Sequence, residues 1–349
     1  SRNEFMQNDV TRCREGLVLR ALNGWPSLDN RFEGNDFSFA ALNGVVGDWL
    51  ARTGNGLALP MTCVVGGAPV AVEPEALSRA YPGATARVAV LVHGLMCNET
   101  IWDMPAPPGA AGPGGDYGAR LAADLGYTPI YLRFNSGLAI PDNGAALATL
   151  LEALVPAWPV AIDEILLIGF SLGGLVTRSA CHVASSEGHH WLRLVGKAIY
   201  VGTPHRGAPL ERWGRALARV ARTVDDPYAR LFADLGDLRS DGIKDLGDAD
   251  VRHEDRARRR PGVALRDPRH PVPLLPSIEH HLIAGSVAVD PMLTALFGDW
   301  IVPVPSATDG AARARTDPEL LPAHVKLLPG VPHATLAHHD VRAAIPILT

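Results

Sequence analysis

Four cysteines among 349 residues are too few, and too far apart, to organise this chain. Cys13, Cys63, Cys97 and Cys181 form no Cys-x-x-Cys pair, which excludes a dense disulfide framework and argues against a thiolate metal site; a single disulfide stays open. Cys97 and Cys181 read as small buried side chains. No run reaches the roughly 18 to 20 apolar residues of a membrane-spanning helix. An excess of one charge is also missing, since 32 Lys and Arg against 37 Asp and Glu leave a net charge of −5. That balance gives no electrostatic reason to expect nucleic acid as a partner. The densest basic run, residues 256–260, lies among Glu254, Asp255 and Asp267 and reads as a solvated loop. Residues 1–10 are polar and lack the apolar core of a signal peptide, which favours a cytoplasmic location by a small margin; a chain starting at serine is also what processing leaves.

Hydrophobic residues, by contrast, make up 47% of the chain, enough to fill the core of one large α/β domain or two smaller ones. From about residue 60 onward, strand-like and helix-like segments alternate. Residues 61–65 and 69–72 read as a hairpin around Gly66-Gly67, and residues 88–93, 128–134, 165–168, 197–201, 281–284 and 325–328 as strands. Helices are expected at about 116–125, 142–155 and 172–186, with a closing helix from about Asp340. This alternation predicts an α/β fold, a mostly parallel central sheet with helices on both faces. Two regions break it. Residues 1–58 are read as an N-terminal helical extension packed on the core. Residues 208–278, where Trp213, Leu217 and Val220 suggest an amphipathic helix, are read as a helical cap or lid insertion. The core is then 59–207 with 279–349.

The richest stretch is Leu166-Leu167-Ile168-Gly169-Phe170-Ser171-Leu172-Gly173-Gly174, an apolar strand that stops at Gly-x-Ser-x-Gly and continues as a helix. A serine hydroxyl is a weak nucleophile, so it needs an exposed position beside a general base and near donors for an oxyanion. A sharp strand-to-helix turn supplies that, with Gly169 and Gly173 where a Cβ would clash. In a chain with 35 glycines the motif also arises by chance as an ordinary glycine-rich turn, but its setting between strand and helix favours Ser171 as nucleophile.

Ligands of an open α/β sheet gather at the carboxyl ends of its strands, so the loop after residues 88–93 should lie beside Ser171. Gly94 lets that loop turn tightly and leaves the Leu95 amide as one oxyanion donor, with the Leu172 amide as the second. His93 is read as a residue that shapes the turn, not as the base. A base lying late in the chain leaves His324, His333, His338 and His339. His333 is preferred because it sits in a loop after the last strand and before the last helix, whereas His338 and His339 fall at the start of that helix. Among Asp290, Asp299 and Asp309, Asp299 is preferred as the acid because it sits on a turn beside an apolar segment. Asp309, in Thr308-Asp309-Gly310, reads as a turn residue bonding local backbone.

Four blocks in order, Leu91-Val92-His93-Gly94-Leu95, Gly169-Phe170-Ser171-Leu172-Gly173-Gly174, Gly202-Thr203-Pro204-His205-Arg206-Gly207 and Gly298-Asp299-Trp300-Ile301-Val302-Pro303, resemble the α/β hydrolases. The resemblance is to the bacterial lipase and esterase branch, similar to triacylglycerol lipases and to the hydrolase domain of GPI inositol-deacylases, and covers about residues 85–349. It implies a triad of Ser171, Asp299 and His333, oxyanion amides at Leu95 and Leu172, and a site wall at the third block in which His205 has no catalytic role. Secreted members often hold calcium through an aspartate two residues after the histidine. Thr335 stands there, so neither calcium nor any other metal or cofactor is expected.

The expected chemistry is carboxylic ester hydrolysis through an acyl-enzyme, on a small-molecule ester or a lipid, with transient contact to a lipid interface through the cap. Trp213, Leu217, Leu231, Phe232 and Leu235 suit an apolar acyl group, although they would pack a cap in any event. A cofactor-free lyase or haloperoxidase would share every motif, as would a thioesterase or amidase. A non-catalytic binding module is a further reading, against which stands the complete set of serine, acid and histidine.

Overall fold

Strands whose residues are apolar on both sides can only be stable with both faces covered, and the computed structural model shows how this chain covers them. It describes residues 36–103, 115–208, 240–257, 272–286, 299, 301–309 and 324–337. Eight strands form one sheet: β1 (Thr62–Val65), β2 (Ala68–Val70), β3 (Arg87–Val92), β4 (Thr128–Arg133), β5 (Glu164–Phe170), β6 (Val195–Val201), β7 (Glu279–Ser286) and β8 (Val325–Pro329), in the order β2-β1-β4-β3-β5-β6-β7-β8. β1 runs antiparallel to β2 and β4, and β3 to β8 are parallel.

The central strands divide their side chains strictly by parity. Val88, Val90, Val92, Ile165 and Leu167 face one cluster with Leu147, Leu151 and Leu154 of α4 (Ile140–Ala157) and Leu175, Val176 and Ala180 of α5 (Leu172–Glu187). Ala89, Leu91, Leu166, Ile168 and Phe170 face a second cluster with Tyr117 and Leu121 of α3 (Tyr117–Leu125) and with Trp102, Tyr127 and Leu336. α3 has its own end signals, an Asp116 side chain that accepts from the Ala119 amide and a left-handed Gly126.

In the N-terminal part, α1 (Asp36–Arg52) is described, with α2 (Pro74–Ala80) following the hairpin. Residues 1–35 lie outside the described residues, and so do 209–239 and 258–271, including Trp213, Leu217, Val220, Leu231, Phe232 and Leu235. Of the expected cap, α6 (Asp241–Asp248) and α7 (His253–Ala257) are described. Ile243, Leu246 and Val251 are buried in the main core, and the Asp245 carboxylate accepts from the Ile140 amide at 2.8 Å. Arg256 departs from the expected solvated loop: it pairs with Asp241 at 2.7 Å and with the buried Asp245 at 2.9 Å. An uncompensated carboxylate at a helix start could not remain buried there, and Arg256 is its counter-charge. Among the described residues, no helix is long and apolar enough to cross a membrane. Cys63, Cys97 and Cys181 are free thiols; Cys13 lies outside the described residues.

Candidate active site

The order of strands reverses at β3 and β5: the chain goes from β3 to β4 on one side, then returns to place β5 on the other. A crevice opens where loops depart in opposite directions, and the carboxyl ends of β3 and β5 border it. β5 ends in the expected turn. Ser171 has φ 53° and ψ −121°, a positive-φ conformation that a non-glycine residue adopts at a cost of about 1–3 kcal/mol and keeps only when its surroundings impose it. Its amide donates to Val201 O at 2.8 Å, and its own carbonyl accepts from the Gly174 amide at 3.1 Å. A Cβ at Gly169 would collide with Gly174, and one at Gly173 with the carbonyls of Val92 and His93. The two glycines therefore let α5 start directly against β3 and β5. The fold is that of the α/β hydrolases.

In this α/β-hydrolase frame, Asp299 follows β7 and His333 follows β8, so three strand ends supply three side chains that converge. The Ser171 hydroxyl lies 2.9 Å from His333 Nε2, and Asp299 Oδ2 accepts from His333 Nδ1 at 2.7 Å. All three are buried. The other oxygen of Asp299 accepts from the amides of Ile301 (3.1 Å) and Val302 (2.7 Å), and its carbonyl from the His333 amide at 3.0 Å. Acid and histidine are thus tied through backbone as well as side chain. His333 opens the one-turn helix α9 (His333–Leu336), where a loop residue was expected. Pro332 before it has no amide hydrogen to leave unpaired at a helix start. The His333 ring lies 5.2 Å from the Phe170 ring, and positive-φ Gly202 (φ +60°) lets it close in, since a Cβ there would sit 3.1 Å from His333 Cε1.

Leu95 lies in the loop after β3 and Leu172 at the start of α5, the two segments that meet at the serine. A Cβ at Gly94 would lie 3.2 Å from the Ser171 Cβ, which puts the loop after β3 directly over the nucleophile. Among the described residues, neither the Leu95 nor the Leu172 amide finds a hydrogen-bond acceptor. His93 bonds loop backbone: its Nδ1 donates to Gly94 O at 2.9 Å, and its Nε2 accepts from the Phe134 amide at 3.2 Å. Burial holds it neutral, with its pKa pushed down to about 4.

The remaining candidates separate clearly. His324 lies at the opposite end of the sheet, before β8, where it meets His281 and Glu279. Asp290, His338 and His339, like Trp300, Asp340 and the expected closing helix, lie outside the described residues. Asp309 is not a local turn acceptor. Its carboxylate pairs with Arg178 of α5 at 3.1 Å and faces Arg206 at 3.5 Å. Arg178 also donates to Val272 O at 3.0 Å and lies 3.1 Å from His205 Nδ1. Ser306, in α8 (Val304–Ala307), donates to Gly207 O at 2.6 Å and accepts from the Arg206 amide at 3.1 Å. The loop after β6 is thereby fastened to the segment that carries Asp299. No motif marks Arg178 or Ser306 in the sequence, because their partners are remote along the chain.

The Thr335 hydroxyl donates to Pro332 O at 3.0 Å, within its own turn. Among the described residues, no group of three or more His, Cys, Asp or Glu is arranged to hold a metal.

Solved structures similar to this chain include the mature form of the lipase BlEst2 from Bacillus licheniformis, at 19% identity over 75% of this chain and 92% of that one, with a TM-score of 0.46. An esterase from Pyrococcus furiosus is similar at 13% identity, over 75% of this chain and 79% of that one, with a TM-score of 0.42. An alpha/beta hydrolase fold protein from Chitinophaga pinensis is similar at 14% identity, over 75% and 88%, with a TM-score of 0.39. No family model matches the chain, and no curated protein matches it.

Proposed function

We propose that the protein is a serine hydrolase of carboxylic esters, acting through an acyl-enzyme on Ser171. The observation that carries this reading is the unbroken relay of two hydrogen bonds from Ser171 Oγ through His333 to Asp299. Asp299 holds His333 with its proton on Nδ1, which leaves Nε2 as the acceptor for the serine proton. As Ser171 Oγ attacks the ester carbonyl, His333 takes that proton. The carbonyl oxygen becomes an oxyanion received by the amides of Leu95 and Leu172, and His333 protonates the leaving alcohol. Water then attacks the acyl-enzyme by the same route, releasing the acid and restoring Ser171.

The substrate is a small-molecule ester or a lipid. A lyase or haloperoxidase reaction would use the same fold, but no described residue around Ser171 favours either over hydrolysis. Ser171→Ala is expected to lower kcat for a p-nitrophenyl ester at least 1,000-fold and to abolish labelling by a fluorophosphonate probe, on the usual scale of removing a nucleophile. Turnover retained in that variant refutes the assignment. Rates across acyl chain lengths, with and without detergent micelles, separate the two substrate classes: a jump at the micelle marks a lipase, and a preference for short soluble esters marks an esterase.

A further inference from the structure

The oxyanion donor at Leu95 is only as well aimed as the loop that carries it, and that loop holds an unusual residue. Met96 has φ +59°, in the left-handed region that an unbranched non-glycine side chain enters at a cost. Its amide donates to Ser136 Oγ at 3.0 Å, and the next amide, of Cys97, closes a turn onto Gly94 O at 3.3 Å. The Met96 side chain lies against α1, outside the part of the chain that carries the hydrolase motifs. A Cβ at Gly44 of α1 would collide with Met96 Cγ and come within 3.0 Å of its Cα and N.

α1 is itself fixed to the same loops from several directions. Gly44 O accepts from Ser240 Oγ at 2.7 Å, and Gly47 O from Asn135 Nδ2 at 2.8 Å. The buried Asn43 donates to Phe39 O and Leu57 O and accepts from the Leu59 amide. Between the two glycines the helix kinks at Val46 (φ −128°, ψ 15°). Two glycines within one helix are unfavourable by about 1 kcal/mol each relative to alanine, and here each is a place of close approach: Gly44 to Met96 and Gly47 to Asn135.

We propose that α1 is a positioning element of the active site, in which the Gly44 notch seats Met96 in its left-handed conformation and thereby aims the Leu95 amide over Ser171. Met96 and Gly44 are positioning residues, since neither reaches the reacting atoms. The inference rests on the reading of Ser171 and Leu95 given above.

Gly44→Ala is the direct test. It is expected to lower kcat for ester hydrolysis about 10- to 100-fold, a part of the 100- to 1,000-fold that deletion of an oxyanion donor costs. KM should stay within twofold, and the inhibition constant of an alkyl boronic acid, whose tetrahedral adduct places an oxygen where the oxyanion forms, should weaken in parallel with kcat. Met96→Ala adds no bulk, removes the side chain from the notch and should show the same split between kcat and KM. Leu50→Ala, which opens a cavity on the same helix six residues beyond Gly44 and leaves the notch itself unchanged, should lower the thermal midpoint and leave kcat within twofold. The inference is overturned if folded Gly44→Ala and Met96→Ala proteins keep wild-type kcat and boronate affinity, or if Leu50→Ala loses as much activity as they do. Failure of the hydrolase reading is a distinct result, in which the wild-type protein itself neither turns over esters nor reacts with a fluorophosphonate.

Discussion

Asp299 is the residue on which most of the site's order depends, because both of its carboxylate oxygens and its carbonyl are engaged at once. An amide in its place would keep the shape but could turn an N–H toward His333, leaving the ring with its proton on Nε2 and no acceptor for Ser171. Asp299→Asn is therefore expected to lower kcat by about 10⁴ with KM little changed, read from initial rates on a soluble ester. Ser171 and Asp299 were legible as candidates because each sits beside residues that serve its local geometry, the glycines around the serine and the apolar turn after the aspartate, and His333 because of its place late in the chain between the last strand and the last helix. Asp309 was misread for the converse reason. Thr308-Asp309-Gly310 has the composition of a turn whose carboxylate bonds its own backbone, whereas its partners Arg178 and Arg206 come from α5 and from the loop after β6. Local chemistry is written next to a residue, and an ion pair between distant segments is not.

Elements were legible where burial imposes a period. β3, β5 and β6 are apolar on both faces because helices cover both, and their continuous runs could be found without any partner. α1 was harder to place. Its sequence, DFSFAALNGVVGDWLAR, interrupts the apolar spacing with Gly44, Gly47 and the buried Asn43, each of which answers to a contact with another segment. The start of α5 obeys the same logic at the centre of the molecule. Gly173 lies so close to the carbonyls of Val92 and His93 that a methyl group there meets rigid backbone, with no side chain able to move away. Gly173→Ala is expected to lift α5 from β3, at a cost of about 1–3 kcal/mol or more for overpacking. Urea unfolding measures the loss of stability. Activity should fall further than stability alone explains, because Ser171 and the Leu172 amide ride on the same helix start.

At the scale of the whole molecule, three neutral imidazoles are built into the interior, one beneath the loop after β3 and two against Tyr200. His93 supports the loop over Ser171. His205, in the loop after β6, meets Arg178. His280, on β7, stacks on Tyr200. Burial pushes the pKa of His93 and His280 down to about 4, and that of His205 well below the ordinary value of 6.5. In the unfolded chain each would take up a proton near pH 6.5, whereas the folded protein refuses it. The stability they contribute is complete above pH 6.5 and declines as the pH falls below it; that of His93 and His280 is lost by about pH 4. Paired carboxylates act in a different window. Burial raises the pKa of Asp241, but Arg256 and Lys244 outweigh it and hold the carboxyl below its ordinary 3.8, so that contribution is lost only in stronger acid. Unfolding free energy should thus fall between pH 7.5 and 4.5, before the carboxylates titrate. His93→Gln, which keeps a donor and an acceptor but cannot charge, should reduce that fall by about 2–3 kcal/mol, at 1.36 kcal/mol per pKa unit. Urea titrations of both proteins at the two pH values measure the difference, and an equal fall in both would show that His93 is not among the groups responsible.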